Sequence, residues 1–461
     1  MLGIELETKR QIKYNERLSR REMVFMAVIF LALLLTRLPW ISAGYGLNPD
    51  SYRVITAARH IAQTGEYVYS RPPGYPLYEY LTALTVKMAP LFSNGLTSLF
   101  SCVAFLFFAL ILRHFSIRHY LLLASAFAMT PVVYVNSTCT IDFILAIALV
   151  LGSSYLILVR RSFLAGLCLG LAIGCRITSG AMLFPLMLYI YLEERGSTAL
   201  KRCLILGATA LIIGCLCFIP VVNRYGLSFF AFSDNSVYHS MKILIKRGLL
   251  DVWGLLGLLG LLGLGLISPF VFKDIKESFA QPHRRHGVVF SWLVVAIYLV
   301  AFLRLPHLAG YLIPVVPFLL LTVGLLTPPY VVRVLAVTLL LSSFLITITK
   351  SGVALSGPIW EDHWSRVSRI QETEKVIETV GHLSGSAVIV AGWKLPQIDV
   401  ALNGERQNSH QYVYLIEGAE TYRRFVAQGR TVYFLSGMDA LNLQAQGIDL
   451  KQLGAQPLET L

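Results

Sequence analysis

Apolar positions in this chain come in long runs, near 23–41, 94–112, 120–136, 141–159, 162–175, 178–192, 203–220, 252–272, 287–303, 308–326 and 331–349. Runs of this length with few charges are the pattern of membrane-spanning helices, so eleven spans are expected. The run 162–175 is short, and a tilt or break is expected near Gly174 and Arg176. Two stretches between the first and second runs follow another rhythm. Asp50–Gln63 and Leu77–Met88 predict amphipathic helices lying at the membrane surface. Beyond residue 350 the long runs stop. There Trp364–Leu383 reads as an amphipathic helix, Ala387–Ala391, Tyr412–Ile416 and Thr431–Leu435 as short strands, and Ala419–Gln428 and Met438–Gln446 as helices. Such alternation predicts a small α/β unit. It has no glycine-rich phosphate loop, since Ser384-Gly385-Ser386 is too short a signal.

The expected fold is therefore a polytopic α-helical membrane protein of about eleven spans with a small C-terminal extracytoplasmic α/β domain. Its parts are a cytoplasmic segment 1–22, a membrane domain 23–350 with a first outer loop at 42–93, and the α/β domain 351–461.

Composition agrees with the pattern. The chain is 56% hydrophobic and 14% charged, against about 25% charged in soluble proteins. Its net charge of +13 raises the question of nucleic acid, and the distribution answers it. Residues 351–461 carry 9 Lys/Arg against 12 Asp/Glu, so the excess lies in the membrane portion, with 30 against 14. With the N-terminus inside, alternate short loops are basic: Arg113 and Arg118; Arg160 and Arg161; Arg195, Lys201 and Arg202; Lys273, Lys276, Arg284 and Arg285; Arg333. That is the positive-inside bias, and an odd span count puts the C-terminal unit outside. Lys9, Arg10, Lys13, Arg17, Arg20 and Arg21 read as a cytoplasmic anchor before an uncleaved span, not as a signal peptide. No basic, aromatic-rich soluble module is present, so nucleic acid is not an expected partner. All seven cysteines lie in or beside spans, which implies neither a disulfide framework nor a thiolate metal site.

The outer face breaks the charge rule. Arg53, Arg59, Arg71, Arg176, Arg224, Lys242, Lys246, Arg247, Arg304 and His307 all fall at or near it, and the outer loop from Val221 to Asp251 also holds Asp234 and His239. Each cation is costly near lipid unless paired or hydrated, and a lipid phosphate would give several of them a partner. Two carboxylates join them: Asp50 just after the first span and Asp142 at the start of the fourth. One could act as a general base toward an acceptor hydroxyl or amine. The pair could also hold a hard divalent cation.

Plainer readings stand beside these. Asn48-Pro49-Asp50-Ser51 is a good helix start, so Asp50 could be a cap; Asp142 could be one too, with Thr140 competing. Arg71 could snorkel to headgroups, Arg176 could mark a tight turn, and Lys242, Lys246 and Arg247 could contact headgroups. His60 fits the polar face of a helix. Asn136-Ser137-Thr138 matches a glycosylation sequon but sits too close to the membrane.

The order of these features resembles the GT-C glycosyltransferases, in the branch of the protein O-mannosyltransferases and the lipid A aminoarabinose transferase. The matching residues are Asp50-Ser51-Tyr52 and the helix to Gln63; Thr64-Gly65-Glu66-Tyr67; and Arg71-Pro72-Pro73-Gly74-Tyr75-Pro76-Leu77-Tyr78. Downstream come Asp142; Phe163 to Ala172 with its spaced glycines, followed by Arg176; and Arg304-Leu305-Pro306-His307 followed by Tyr311-Leu312-Ile313-Pro314-Val315-Val316-Pro317. The resemblance spans roughly residues 20–330. Many members carry paired acids in the first loop, where this chain has Asp50-Ser51.

The resemblance implies an inverting glycosyltransferase with a polyprenyl-phosphate sugar donor and a lipid, polysaccharide or protein acceptor. The site would lie at the outer face of the inner membrane. It casts Asp50 and Asp142 as catalytic or shared metal ligands, and Arg71, Arg176, Arg304 and His307 as donor-phosphate ligands. Tyr52, Arg53, Tyr75 and Tyr311 would line the substrate pocket. A silent polyprenyl-phosphate-binding scaffold and a lipid-linked sugar flippase are the rival readings. A flippase should show internal repeats and mid-span charges, and the chain shows neither.

Overall fold

The computed structural model describes residues 18–88, 90–230, 240–349, 352–383, 385–403, 410–414, 416, 418–435 and 456–457. Helices begin where the sequence supplies a start. α1 (Arg20–Arg37) opens on a reciprocal cap. The Glu22 backbone N–H donates to Ser19 Oγ at 3.2 Å, and the Ser19 N–H donates to the Glu22 carboxylate at 2.9 Å. α2 (Pro49–Thr64) is capped by Asn48, has Pro49 at its first position, and ends at Gly65 with φ 73°. α3 (Pro76–Thr85) follows in the same outer loop.

The membrane helices continue as α4 (Leu91–His114), α5 (Tyr120–Met129), α6 (Pro131–Asn136), α7 (Phe143–Leu158), α8 (Ser162–Cys175), α9 (Leu183–Glu193) and α10 (Ser197–Tyr225). Then come the short α11 (Met241–Ile245), α12 (Asp251–Ile267), α13 (Phe272–Ala280), α14 (Pro282–Arg304), α15 (Val315–Leu326) and α16 (Pro329–Ser342). Each of the eleven apolar runs forms helix over most of its length, and one buried apolar core draws on every helix from α1 to α16 except α13. The chain is a polytopic membrane protein. Among the described residues five stretches are long and apolar enough to cross a bilayer unaided: Leu91–His114, Ser197–Ser228, Met241–Ile267, Pro282–Arg304 and Ala309–Leu326.

Two runs depart from the simple expectation. The run 120–136 splits because Pro131 lacks an N–H and biases Thr130 to an extended conformation, with φ −60° and ψ 135°. The run 331–349 stays helical only to Ser342. Its β-branched end, β1 (Thr347–Thr349), pairs antiparallel with β2 (Gly352–Ala354).

One seam is tighter than the rest. A Cβ added to Gly166, Gly170 or Gly174 of α8 would lie 2.6, 2.5 or 2.5 Å from the Cβ of Thr209, Ile213 or Cys217 of α10. Glycines four apart share a helix face, so the two backbones meet directly. Arg176 leaves this seam two residues after Gly174.

The C-terminal part holds α17 (Pro358–Gly381), β3 (Ala387–Val390), α18 (Leu395–Leu402), β4 (Gln411–Val413), α19 (Gly418–Ala427), β5 (Thr431–Phe434) and β6 (Gln456–Pro457). The four strands form one parallel sheet in the order β4-β3-β5-β6, with Val388 opposite both Gln411 and Val432. All four residues of β3 are buried, as a central parallel strand covered on both faces requires. Val376, Val380 and Ile398 pack on one side, and Tyr422 packs on the other. The three expected strands are present. α18 was not anticipated, and the expected helix Met438–Gln446 lies outside the described residues. α18 docks on α2, where Val400 packs with Tyr45, Tyr52 and Ile55, and Arg59 donates to the Val400 carbonyl at 2.8 Å.

Candidate active site

The site is assembled from a strap, a helix start and two span ends. The strap runs from Tyr67 to Tyr75 and is folded around Glu79, which is fully buried. Glu79 accepts from the Tyr67 hydroxyl at 2.6 Å, from the Ser70 N–H and hydroxyl at 2.6 Å each, and from the Tyr75 N–H at 3.2 Å. Burial pushes its carboxyl upward against the pull of these donors. The strap, with a cis bond between Pro72 and Pro73, presents Arg71.

Arg71 links the two carboxylates. Its Nε lies 3.2 Å from Asp50 Oδ2, and its Nη2 lies 2.6 Å from Asp142 Oδ1. The other Asp142 oxygen takes Arg176 Nη1 at 2.5 Å, and the other Asp50 oxygen takes Arg53 Nη1 at 3.2 Å. The result is a continuous chain Arg53–Asp50–Arg71–Asp142–Arg176. Asp142 is wholly buried, while the Asp50 side chain keeps 15% of its surface exposed. A buried carboxylate without partners would be strongly disfavoured, and two guanidiniums supply them.

Aromatic rings wall the cations. Arg71 lies 3.9 Å from the Tyr75 ring centre; Arg176 lies 4.3 Å from Phe143, 5.4 Å from Tyr311 and 5.6 Å from Tyr75. Phe143 and Tyr311 meet edge to face at 5.8 Å. Such faces attract a cation while leaving its N–H edge unspent.

The plainer readings can be weighed on this geometry. Asn48 caps α2, accepting from the Asp50 N–H at 3.0 Å, so the Asp50 carboxylate is not the cap. Asp142 occupies the cap position of α7 but makes no side-chain cap bond. The Thr140 hydroxyl is engaged elsewhere, 2.8 Å from both Ser93 Oγ and Asn94 Oδ1. The Arg71 side chain, 12% exposed, does not snorkel. Arg176 does end a helix, as the turn reading has it, with its head group on Asp142. In the sequon, Ser137 and Thr138 are buried and Asn136 donates to the Val132 carbonyl at 2.7 Å. Of the three outer cations assigned to headgroups, Arg247 donates to the Pro306 carbonyl at 3.0 Å and Lys246 pairs with Asp251 at 2.8 Å.

The remaining candidates separate. Tyr75, Tyr311 and Arg53 stand at the ion chain. Tyr52 turns away, packing edge to face on Tyr45 at 5.6 Å, and burial pushes its phenol up to about 12. Arg304 is exposed at the end of α14 and His307 is half-buried in the turn before Tyr311. Sequence reading missed Glu79 and Phe143. Glu79 is the sole charge in α3, a signal that was available; Phe143 follows Asp142 directly but looked like any span residue.

The donor set does not fit a divalent cation. Hard cations take six or more oxygen ligands, and here all four oxygens of Asp50 and Asp142 face guanidinium nitrogens. Among the described residues no group of three or more His, Cys, Asp or Glu comes together.

No protein-family model and no curated protein sequence matches the chain. Among solved structures it is similar to the crystal structure of ArnT from Cupriavidus metallidurans in the apo state, with a TM-score of 0.58 over 88% of each chain at 14% identity. A likeness at that identity speaks to architecture: the chain has the fold of ArnT, in line with the fold class expected from the order of its motifs.

Proposed function

We propose that this protein is an inverting glycosyltransferase, moving a sugar from a polyprenyl-phosphate donor to an acceptor at the outer face of the inner membrane. The observation that carries the reading is the chain Asp50–Arg71–Asp142–Arg176, set among aromatic rings where the membrane helices meet the first outer loop. The shared fold with ArnT, a lipid A aminoarabinose transferase, supports it at the level of architecture.

Asp142 orients both arginines and spends one nitrogen of Arg176. The other N–H groups of that fork are suited to the two oxygens of a phosphate. The acceptor hydroxyl or amine attacks the anomeric carbon as Asp50 takes its proton. The bond between that carbon and the phosphate oxygen breaks, and its electron pair leaves with the lipid phosphate. Arg71 and Arg176 stabilise the charge that develops there, a large share of such catalysis. Tyr75 and Tyr311 hold the two guanidiniums in place, and Arg53 orients Asp50. Arg304 and His307 are assigned to the rim, on the segment that delivers Tyr311. Tyr52 is assigned to packing. No step runs through a metal.

The test offers purified protein a panel of synthetic polyprenyl-phosphate sugars, including aminoarabinose, mannose and glucose. Membrane extracts supply the acceptor, and freed polyprenyl phosphate is measured. Release from at least one donor, dependent on extract, is expected. Binding of the donors without release would make the protein a silent scaffold.

A further inference from the structure

Helix α17 meets the membrane helices and the first outer loop through one stripe. Trp360 and His363 lie against Trp40, with ring centres at 4.7 and 5.3 Å. A turn later Arg366, 2% exposed, donates to the Thr138 carbonyl at 2.9 Å and hydroxyl at 3.0 Å, and Asp362 pairs with it from the same helix. Arg369 donates to the Leu47 carbonyl. Ile370 closes on Gly44, where a Cβ would meet its Cδ1 at 2.9 Å and where φ is 73°, so glycine is required twice over. Positions 360, 363, 366 and 370 share a helix face.

The two segments that these arginines grip are not arbitrary. Leu47 lies three residues before Asp50, and Thr138 lies four before Asp142. The segments are also joined to each other, since the Thr140 N–H donates to the Tyr45 carbonyl at 2.9 Å. Asn94 fixes the first of them from α4, donating to the Ile41 and Gly44 carbonyls at 2.8 Å each. Docking alone is already served by apolar contacts, Trp40 with Trp360 and Val400 with Ile55. Burying the Arg366 guanidinium, and half-burying that of Arg369, costs more than burying such side chains. Here that cost fixes the two backbones that lead into the carboxylates.

We infer that Arg366 and Arg369 are positioning residues that set Asp142 and Asp50 in register, making α17 part of the catalytic geometry. The inference rests on the proposed glycosyl transfer. A displacement of about 1 Å at such a site can cost a hundredfold in rate, and the charged bonds to the Thr138 and Leu47 carbonyls hold their segments against one.

The test uses the full chain in lipid nanodiscs, undecaprenyl phosphate as the binding probe and lipid-phosphate release from the donor panel as turnover. Arg369→Ala is expected to lower turnover on the order of a hundredfold with undecaprenyl-phosphate affinity unchanged. Arg369→Lys should restore most of it, because an ammonium can also donate to one carbonyl. Hydrogen exchange should rise in residues 42–52 and stay unchanged in 376–390. Thr138→Val removes one Arg366 acceptor while keeping the Asp362 pair, and should weaken undecaprenyl-phosphate binding about threefold to tenfold. Parent-like turnover by Arg369→Ala, or exchange that rises across the spans, overturns the positioning role. Parent-like turnover by Arg71→Ala overturns the transferase reading beneath it, so the two failures are distinct.

Discussion

Arg37, fully buried, and Arg176, with 13% of its side chain exposed, both end apolar helices, and they spend their donors in opposite ways. Arg37 gives Nη1 to the Leu33 carbonyl and Thr36 hydroxyl at 2.9 Å each, Nη2 to the Ala128 carbonyl at 2.6 Å, and Nε to the Ser137 hydroxyl at 3.3 Å. Its face lies 4.4 Å from the Tyr134 ring. Every edge meets a neutral acceptor, so the cation ties α1 to the segment 128–137. Arg176 gives one nitrogen to a carboxylate and turns its faces to three rings. Burial of a cation therefore says little about function. The kind of acceptor it meets, and how much of its fork is left over, says more.

That contrast can be broken at several points. Removing the proposed base should do the most: Asp50→Asn is expected to lower turnover about 10²- to 10⁴-fold with the thermal midpoint unchanged, since Asn48 still caps α2. Arg176→Ala should follow, with turnover down about a hundredfold or more and weaker binding of undecaprenyl phosphate in the same preparation. Arg37→Met should reverse the pattern. A loss of about 1–3 kcal/mol is expected in unfolding by denaturant or heat, with turnover per folded molecule unchanged. If Arg37→Met loses turnover like Arg176→Ala, the distinction drawn from their acceptors is wrong. A chelator should do least, leaving turnover within about twofold, because the carboxylate oxygens already face guanidiniums that a divalent cation would have to displace. A metal-restored loss in that assay would overturn the donor-set argument.

Much of this molecule was legible because membrane helices write themselves as long apolar runs, and each of the eleven runs forms helix over most of its length. The ends were less legible. Pro131 breaks a run that hydropathy alone joins, and Thr347-Ile348-Thr349 is as apolar on average as a helix end yet pairs as a strand. The site was half visible. Asp50, Arg71, Asp142 and Arg176 drew attention because charge at a span end is expensive, and the structure joins them in one chain. The glue was hidden. Glu79 looked like surface charge on an amphipathic helix, and Arg37 vanished into the last turn of a span. Arg366 and Arg369 sat in a separate soluble helix, with nothing local to reveal that they reach Thr138 and Leu47. Contacts between residues more than two hundred positions apart leave no trace in local pattern.

The glycine seam between α8 and α10 has a consequence for traffic. A lipid-borne substrate must slip sideways out of the bilayer between two helices, and a doorway needs side chains that can swing aside. Where Gly166, Gly170 and Gly174 press on Thr209, Ile213 and Cys217, α8 has no side chain to move and the side chains of α10 sit directly on its backbone. That pair is a wall, with Arg176 at its end, so under the proposed function a lipid-linked donor would have to enter along another side of the bundle.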